Sequence, residues 1–393
     1  MRKGDIIMAK SIPALITPSI LKWARELDSI TVEEAATHLK VSIEKIEAWE
    51  NGETQPSLNQ AKKLAKYYRI PFAYLYLPDE PQKTKRLDKV DYRTFGNNGI
   101  AEFSRELRWL IRDIEDRRDT IIDLYKESEI TPNSLLISYS IKTDEKQLAN
   151  AIRSFLGLDY AIQKKFRKAE SALSYCISKL EEKDFLIFQA SKISPGEMRG
   201  LSIAYDSFPI IVLNRKDEQS ARLFTLFHEL VHIFTRTSGI CNDMTNKSAY
   251  QLELFCNRIA GYALVPDEYL LTNPNLLSIQ QYGIDDTHVY AIARDFGVSR
   301  EVVINRLWNN SIIDQSTYYS TLNRYSEEYR NFKTKQKKGF LPPAMDKGTQ
   351  VGKLYAKTIL SAYYSEKITP REASQCLLGL KIQHFSTIER WCF

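Results

Sequence analysis

Cysteine and histidine are both scarce in this sequence, which has five of each among 393 residues. The cysteines are odd in number and none is part of a CxxC pair. This pattern argues against a disulfide-stapled fold and against a cysteine-type zinc finger. We therefore expect free thiols in a reducing, cytoplasmic environment.

Long apolar runs are also missing, and no stretch approaches the roughly 20 residues of a membrane helix. Residues 1–8 have no apolar core or cleavage site, so we expect no signal peptide and no membrane partner. The net charge of +6 comes from residues 321–393, whose 13 basic and 6 acidic side chains give +7, while the rest of the chain sums to −1. A solvated linker explains this excess better than a phosphate-binding patch.

Two of the few histidines stand four residues apart in the segment Phe227-His228-Glu229-Leu230-Val231-His232. On a helix they lie one turn apart on the same face, where two imidazoles can bind one Zn²⁺. Glu229 follows the first histidine and can reach a water on that metal, as a catalytic base would. Apolar residues on both sides predict that this helix is buried.

A catalytic zinc site needs a third protein ligand. The metzincin extension fails, because Thr235 stands where its glycine should be and Ser238 where its third histidine should be. Glu253 is the favoured ligand, since it lies on a predicted helix over 247–264. Asn257, one turn further, can accept the free N–H of a ligand histidine. Four candidates stand downstream: Cys241, Asp243, Glu253 and Cys256.

The fold class predicted from periodicity is α+β and mainly α. Residues 18–78 read as five short helices, with Thr31 and Ser42 as caps of the second and third. This stretch resembles the XRE-type phage-repressor helix-turn-helix. Helices follow at 101–128 and 145–182, then short strands at 185–188, 200–205 and 210–213 directly before the metal helix. The edge of such a sheet can hold an extended peptide as an added strand.

The third N-terminal helix would be the DNA reader, but it has no arginine. Its outward residues are Glu44, Lys45, Glu47 and Glu50. Lys40, Ser42 and Lys45 can touch the DNA backbone. Because the module is electrically neutral, we expect weak DNA binding with little sequence preference. The alternative is a module that docks a protein partner or forms a homodimer.

Several segments together resemble the ImmA/IrrE family of zinc metallopeptidases. They are Arg199–Ser202, Pro209–Asn214, Phe224–His232, Glu253–Ala260 and Leu264–Pro266. Cys256 and Ile259 replace the alanine and phenylalanine of the family's second motif, ExxANxFA. The resemblance implies a zincin-like, gluzincin-type domain with His228, His232 and Glu253 as zinc ligands and Glu229 as base. It also implies a protein substrate, typically a helix-turn-helix repressor.

The chain divides into four predicted parts. Residues 1–82 form the helix-turn-helix domain and residues 83–270 the peptidase domain. Residues 271–320 contain a second helix-turn-helix pattern, which we interpret as a closing, packing segment. Residues 321–393 form a basic helical region to which we assign no chemistry.

The favoured function is a cytoplasmic zinc endopeptidase that cleaves a regulatory protein and so controls transcription. The alternative is a DNA-binding regulator, or an antitoxin-like partner-binding protein, with a structural or inactive zinc site. Glu229 speaks against the alternative, because a structural site gains nothing from a base there. The oxyanion donor is left open among Tyr205, Tyr250 and Tyr262.

Overall fold

A computed structural model describes residues 12–28, 30–80, 103–135, 137–166, 168–237, 239–240, 247–333 and 341–392. The described residues form two compact units, one up to residue 108 and one from residue 109 onward. They are mainly helical with one small sheet, which confirms the predicted fold class. No helix in these ranges is long and apolar enough to cross a membrane. The four-part division of the chain stays a prediction.

The first unit contains the predicted series of five short helical segments, the last of which is a 3₁₀ helix. The elements are α1 (Pro18–Glu26), α2 (Val32–Leu39), α3 (Ile43–Glu50), α4 (Leu58–Tyr67) and the 3₁₀ helix Phe72–Tyr76. Their inner faces share a core that includes Leu21, Ile46 and Trp49. The helix boundaries therefore follow from the apolar spacing in the sequence.

Local hydrogen bonds fix where these helices begin. The Thr31 hydroxyl accepts from the amide of Glu34, whose carboxylate accepts from the amide of Thr31, which makes a capping box and confirms Thr31 as a cap. Ser57 starts α4 in the same way. Ser42 does occupy the position before α3, but its side chain makes no capping hydrogen bond. The tight turn between α2 and α3 is made by Lys40, which has a φ of 57°.

A buried ion pair connects α1 to α3. The Arg25 guanidinium donates to both carboxylate oxygens of Glu50, at 2.7 and 2.9 Å, and to the carbonyl of Ile30 at 2.8 Å. The side chains of Arg25 and Glu50 are only 10% and 5% exposed. The expectation that Glu50 faces outward is therefore wrong, because pairing with a buried guanidinium turns it inward.

Helix α5 (Arg105–Glu127) contributes its first residues to the first unit and the rest to the second. Within the first unit, Arg105 donates to the hydroxyl of Tyr67 at 2.8 Å and pairs with Glu34. The Tyr67 ring also stacks on His38, with ring centroids 3.9 Å apart. These contacts tie the start of α5 to α2 and α4.

The second unit surrounds a small sheet with helices. Its elements as far as residue 264 are α6 (Glu145–Phe155), α7 (Tyr160–Gln163), α8 (Ala169–Glu181), β1 (Leu186–Ala190), β2 (Gly200–Ile203), β3 (Ile210–Asn214), α9 (Gln219–Thr235), β4 (Gly239–Ile240) and α10 (Lys247–Leu264). The predicted bounds of α10 are confirmed. The region expected to be helical over 145–182 is divided into α6, α7 and α8.

The sheet has the strand order β1-β3-β2-β4. Strands β1 and β3 are parallel, and β2 runs antiparallel to β3, as expected for a hairpin. Strand β4 was not predicted from the sequence. It pairs with Leu201 and Ser202 on the outer edge of β2. The outer edge of β2 therefore already has a neighbour along half its length.

Helix α9 lies at the centre of the second unit. It packs against α8, α10, β2 and β3. All of its residues from Leu223 to Thr235 are buried except Phe224, so it is enclosed on nearly every side. A helix held in this way presents its polar side chains in fixed positions.

The rest of the second unit is helical. Its elements are α11 (Asp267–Leu270), α12 (Pro274–Tyr282), α13 (Asp286–Phe296), α14 (Arg300–Asn309), α15 (Gln315–Lys333), α16 (Pro343–Val351), α17 (Lys353–Tyr364), α18 (Pro370–Cys376), the 3₁₀ helix Ile382–His384 and α19 (Phe385–Cys392). In α14, Arg306 is fully buried, donates to the carbonyl of Val265 and pairs with Asp267. This burial favours the interpretation of α14 as a packing element.

The C-terminal helices are anchored to the sheet. Helices α16 and α17 pack against β1. The Glu181 carboxylate accepts hydrogen bonds from the amides of Lys353 and Leu354 at the start of α17. Burial raises the pKa of Glu181 to about 7. Within the basic C-terminal region, most of the lysine-rich stretch at 333–338 lies outside the described residues.

We predict that Glu50→Gln destabilises the first unit by about 3 kcal/mol, because it leaves a buried guanidinium without its counter-charge. Glu26→Gln is the matched control, since Glu26 also pairs with Arg25, at 3.5 Å, but is 55% exposed. Its loss should cost less than about 1 kcal/mol. Calorimetric unfolding of the full chain measures both, and equal destabilisation by the two variants would contradict the assignment.

Candidate metal centre

Helix α9 presents its two histidines side by side. His228 and His232 are 4% and 2% exposed, and their ring centroids are 4.9 Å apart. The Nε2 atoms of the two rings are 3.1 Å apart. Both rings therefore direct the same nitrogen toward one point, as the four-residue spacing predicts.

Helix α10 brings Glu253 to that point. Its Oε2 lies 3.1 Å from Nε2 of His228 and its Oε1 lies 3.4 Å from Nε2 of His232. Tetrahedral zinc with bonds of 2.0–2.1 Å would separate its ligand atoms by about 3.3 Å. The three side chains therefore fit the ligand set of a zinc ion, because the atoms that would bind the metal already face one another at nearly this separation.

Cys256 is the rival third ligand among the described residues. Its sulfur lies within 4.8 Å of ligand atoms of both His228 and His232, so geometry alone also allows this set. However, its sulfur contacts Nδ1 of His232, at 3.9 Å, whereas Glu253 faces Nε2 of the same ring. Burial raises the pKa of the Cys256 thiol, which disfavours the thiolate. Glu253 fits better. Cys241 and Asp243 lie outside the described residues.

The charges around the histidines favour a cation. Burial raises the pKa of Glu253, but its contacts with His228 and His232 outweigh burial and lower that pKa to about 2. For His232 burial lowers the pKa, yet nearby Cys256, Glu253 and Glu229 together raise it. The site is thus a buried, negatively charged pocket in which positive charge between the imidazoles is stabilised.

The Nδ1 atoms of the two histidines have different partners. Nδ1 of His228 lies 2.9 Å from Oδ1 of Asn257, the contact that the sequence predicted. Nδ1 of His232 lies 3.1 Å from the hydroxyl of Thr237, which the sequence analysis missed. Both contacts leave Nε2 directed toward Glu253.

Glu229 is fully buried beside strand β2. A Cβ atom on Gly200, the first residue of that strand, would collide with Oε1 of Glu229 and with Cγ2 of Thr225. Only glycine lets the strand pass so close to the helix. Gly200 therefore leaves the space that the Glu229 carboxylate occupies, a role that the sequence did not reveal.

The three tyrosines considered as oxyanion donors have different surroundings. The Tyr205 hydroxyl donates to Glu115 at 2.9 Å, and burial raises the pKa of that carboxyl to about 7. The Tyr262 ring lies 3.9 Å from the Arg306 guanidinium. Tyr250 is 43% exposed. Tyr205 and Tyr262 thus already have specific partners.

The candidate DNA contacts lie on the surface of the first unit. Lys40, Ser42 and Lys45 are all exposed. The Lys45 ammonium lies 5.8 Å from the centroid of the Trp49 ring. With Glu50 turned inward, the exposed face of α3 offers Lys45 between Glu44 and Glu47. That face has more negative than positive charge, which disfavours contact with phosphate.

Comparisons with known proteins agree with the two units. Residues 188–308 match the model of the IrrE N-terminal-like domain of the peptidase M78 family. Residues 21–75 match a helix-turn-helix model. Comparison with curated proteins finds no match.

Among solved structures, four chains match. One is the apo form of the competence regulator ComR from Streptococcus vestibularis, which is 15% identical. The match covers 91% of this chain and 88% of that chain, with a TM-score of 0.15, too low to carry an argument. The two family models match the predicted ImmA/IrrE architecture, in which an N-terminal XRE-type helix-turn-helix domain precedes an IrrE N-terminal-like domain of the peptidase M78 family.

Proposed function

We propose that this protein is a cytoplasmic zinc endopeptidase that cleaves a regulatory protein, namely a helix-turn-helix repressor. The observation that carries the proposal is the convergence of three ligand atoms. Nε2 of His228, Nε2 of His232 and the Glu253 carboxylate all lie within 3.4 Å of one another. The family match of residues 188–308 supports the same reaction class.

In this proposal His228, His232 and Glu253 hold the zinc, and Asn257 orients His228. Zn²⁺, when bound, supplies a Lewis acid that polarises the scissile carbonyl. Glu229 takes a proton from the attacking water and passes it to the leaving amine. Its burial beside Gly200 keeps the carboxylate at one position, which proton transfer over hydrogen-bond distance requires.

Substrate choice falls to the N-terminal module in this proposal. A zinc site beside a short sheet has little selectivity of its own, because it binds peptide through backbone hydrogen bonds. Repressor modules self-associate, so a module of the same type can dock one. The tether would then raise the local concentration of the repressor's linker near the zinc to at most about the millimolar range. The acidic exposed face of α3 makes DNA the weaker partner.

The competing function is a DNA-binding regulator, or an antitoxin-like protein, whose zinc site is structural or inactive. The position of Glu229 favours the peptidase, because burying a carboxylate is costly and a structural site has no use for it. Co-expression with repressors encoded nearby separates the two. Cleavage that requires Glu229 supports the peptidase, and repressor binding without cleavage supports the competing function.

The metal content tests the proposed roles. We expect about one Zn²⁺ per chain, lost in His228→Ala and His232→Ala but kept in Glu229→Gln, which should be bound to zinc yet inactive. Cys256→Ala is the control and should keep its zinc. Elemental analysis of the purified variants measures this. Equal zinc loss in Glu229→Gln and the histidine variants would refute the division into ligands and base.

Gly200→Ala tests the placement of the base. The added Cβ would displace the Glu229 carboxylate, so we expect cleavage to fall on the order of 100-fold with zinc content unchanged. Gly196→Ala is the matched control, because a Cβ there would meet only the Ser194 hydroxyl, at an ordinary 3.6 Å. Full activity in Gly200→Ala would mean that Glu229 need not occupy this position.

Removal of residues 1–82 tests recruitment. Cleavage of the whole repressor should fall at least about tenfold, while hydrolysis of a short linker peptide and zinc content stay nearly unchanged. The comparison of kcat/KM for the two substrates measures the effect. Equal loss on both substrates would mean that the module supports the catalytic fold, and no loss on either would exclude recruitment.

A further inference from the structure

A chain of hydroxyl groups leads from His232 back into its own helix. Nδ1 of His232 lies 3.1 Å from the Thr237 hydroxyl, which lies 2.8 Å from the Thr235 hydroxyl. The Thr235 hydroxyl in turn lies 2.8 Å from the carbonyl oxygen of Val231. Neither threonine is one of the proposed zinc ligands or the proposed base.

The Val231 carbonyl, at the end of this row of hydrogen bonds, determines the direction of each of them. A carbonyl oxygen only accepts, so Thr235 uses its single proton on the Val231 carbonyl. Thr235 must then accept from Thr237, whose own proton is used in doing so. Thr237 can therefore only accept from His232, which must have its proton on Nδ1.

We propose that Thr237 and Thr235 are positioning residues that make His232 a metal ligand. A neutral imidazole has one N–H, so a proton held on Nδ1 leaves the lone pair on Nε2. That Nε2 is the atom that lies 3.1 Å from Nε2 of His228 and 3.4 Å from Glu253. The inference rests on the proposed metal site and adds to it the device that selects the tautomer of one ligand.

The backbone holds Thr237 in place. Its amide donates to the carbonyl of His232 at 2.9 Å, where α9 ends. Arg236, between them, has a φ of 57°, a conformation that non-glycine residues adopt only when their surroundings enforce it. The Arg236 guanidinium donates to the carbonyls of Leu135 and Ile137, which stabilises this turn. Thr237 is thereby directed back toward the ring of His232.

Cys256 is the competing partner for the same nitrogen. Its sulfur lies 3.9 Å from Nδ1 of His232, at the far limit of a sulfur hydrogen bond, against 3.1 Å for the Thr237 oxygen. A thiol is also a weaker acceptor than a hydroxyl. If Cys256 controlled the tautomer, its removal rather than that of Thr237 would weaken the site.

The test compares the zinc affinity of full-length variants by competition with a chelator, with Zn²⁺ alone as the probe. Thr237→Val keeps the shape but removes the hydroxyl, and should bind zinc about 10- to 100-fold more weakly. Thr237→Ser restores the hydroxyl and should restore the affinity. Thr235→Val should cause a smaller loss, since Thr237 can still accept from His232.

Two control variants distinguish the specific effect of the Thr237 and Thr235 hydroxyls from a general loss of stability. Thr272 lies just after α11, and its hydroxyl donates to the carbonyls of Glu268 and Tyr269, as the Thr235 hydroxyl contacts carbonyls of its own helix. Thr272→Val removes such a hydroxyl far from the metal site in sequence. It should bind zinc like the wild type, and so should Cys256→Ala. The proposal is overturned if Thr237→Val keeps full affinity, if Thr237→Ser fails to restore it, or if Cys256→Ala causes the larger loss.

Nitrogen-15 NMR of the imidazoles gives a readout that does not depend on zinc binding or on peptidase activity. In the metal-free protein, at a pH where His232 is neutral, the wild type should have its proton on Nδ1 and Thr237→Val a mixture of tautomers. If the protein binds no zinc but shows this difference, the proposed function is refuted, while the role of Thr237 in selecting the His232 tautomer is retained. An unchanged tautomer in Thr237→Val would refute the proposed role of Thr237, whatever the zinc affinity of the variants.

Discussion

The contact of helix α10 with helix α9 is the constraint on which the site depends. It places the Glu253 carboxylate against Nε2 of both histidines, inside a protein core where charge is poorly tolerated. Neither helix could present these groups alone, because α9 supplies two nitrogens on one face and lacks a third donor there. The packing of α9 against the sheet and α8 holds the arrangement rigid, as a preorganised site requires.

Around this contact, each polar group of the site is oriented by a neighbour. Asn257 and Thr237 lie at the Nδ1 atoms of the two histidines, and Gly200 leaves room for the Glu229 carboxylate. These neighbours come from a helix, a helix end and a strand, so three separate elements together orient the polar groups of the site.

The sequence was informative wherever a helical period determines the outcome. His228 and His232 are four residues apart, as are Glu253 and Asn257, so the spacing predicts that the members of each pair share a helix face. Gly200 and strand β4 could not be predicted, because their contacts join segments distant in the chain. Thr237 was missed because it follows the left-handed residue Arg236, which no periodicity encodes. Glu50 was assigned to the wrong face because a buried ion pair outweighs the preference of a carboxylate for water.

X-ray absorption at the zinc edge tests the central claim most directly, because it identifies the atoms bound to the metal in the full-length protein. Our account predicts two imidazole nitrogens and carboxylate or water oxygens, all at about 2.0–2.2 Å, with no sulfur. A sulfur scatterer at about 2.3 Å would contradict it, since that would make Cys256 or Cys241, and not Glu253, the third ligand.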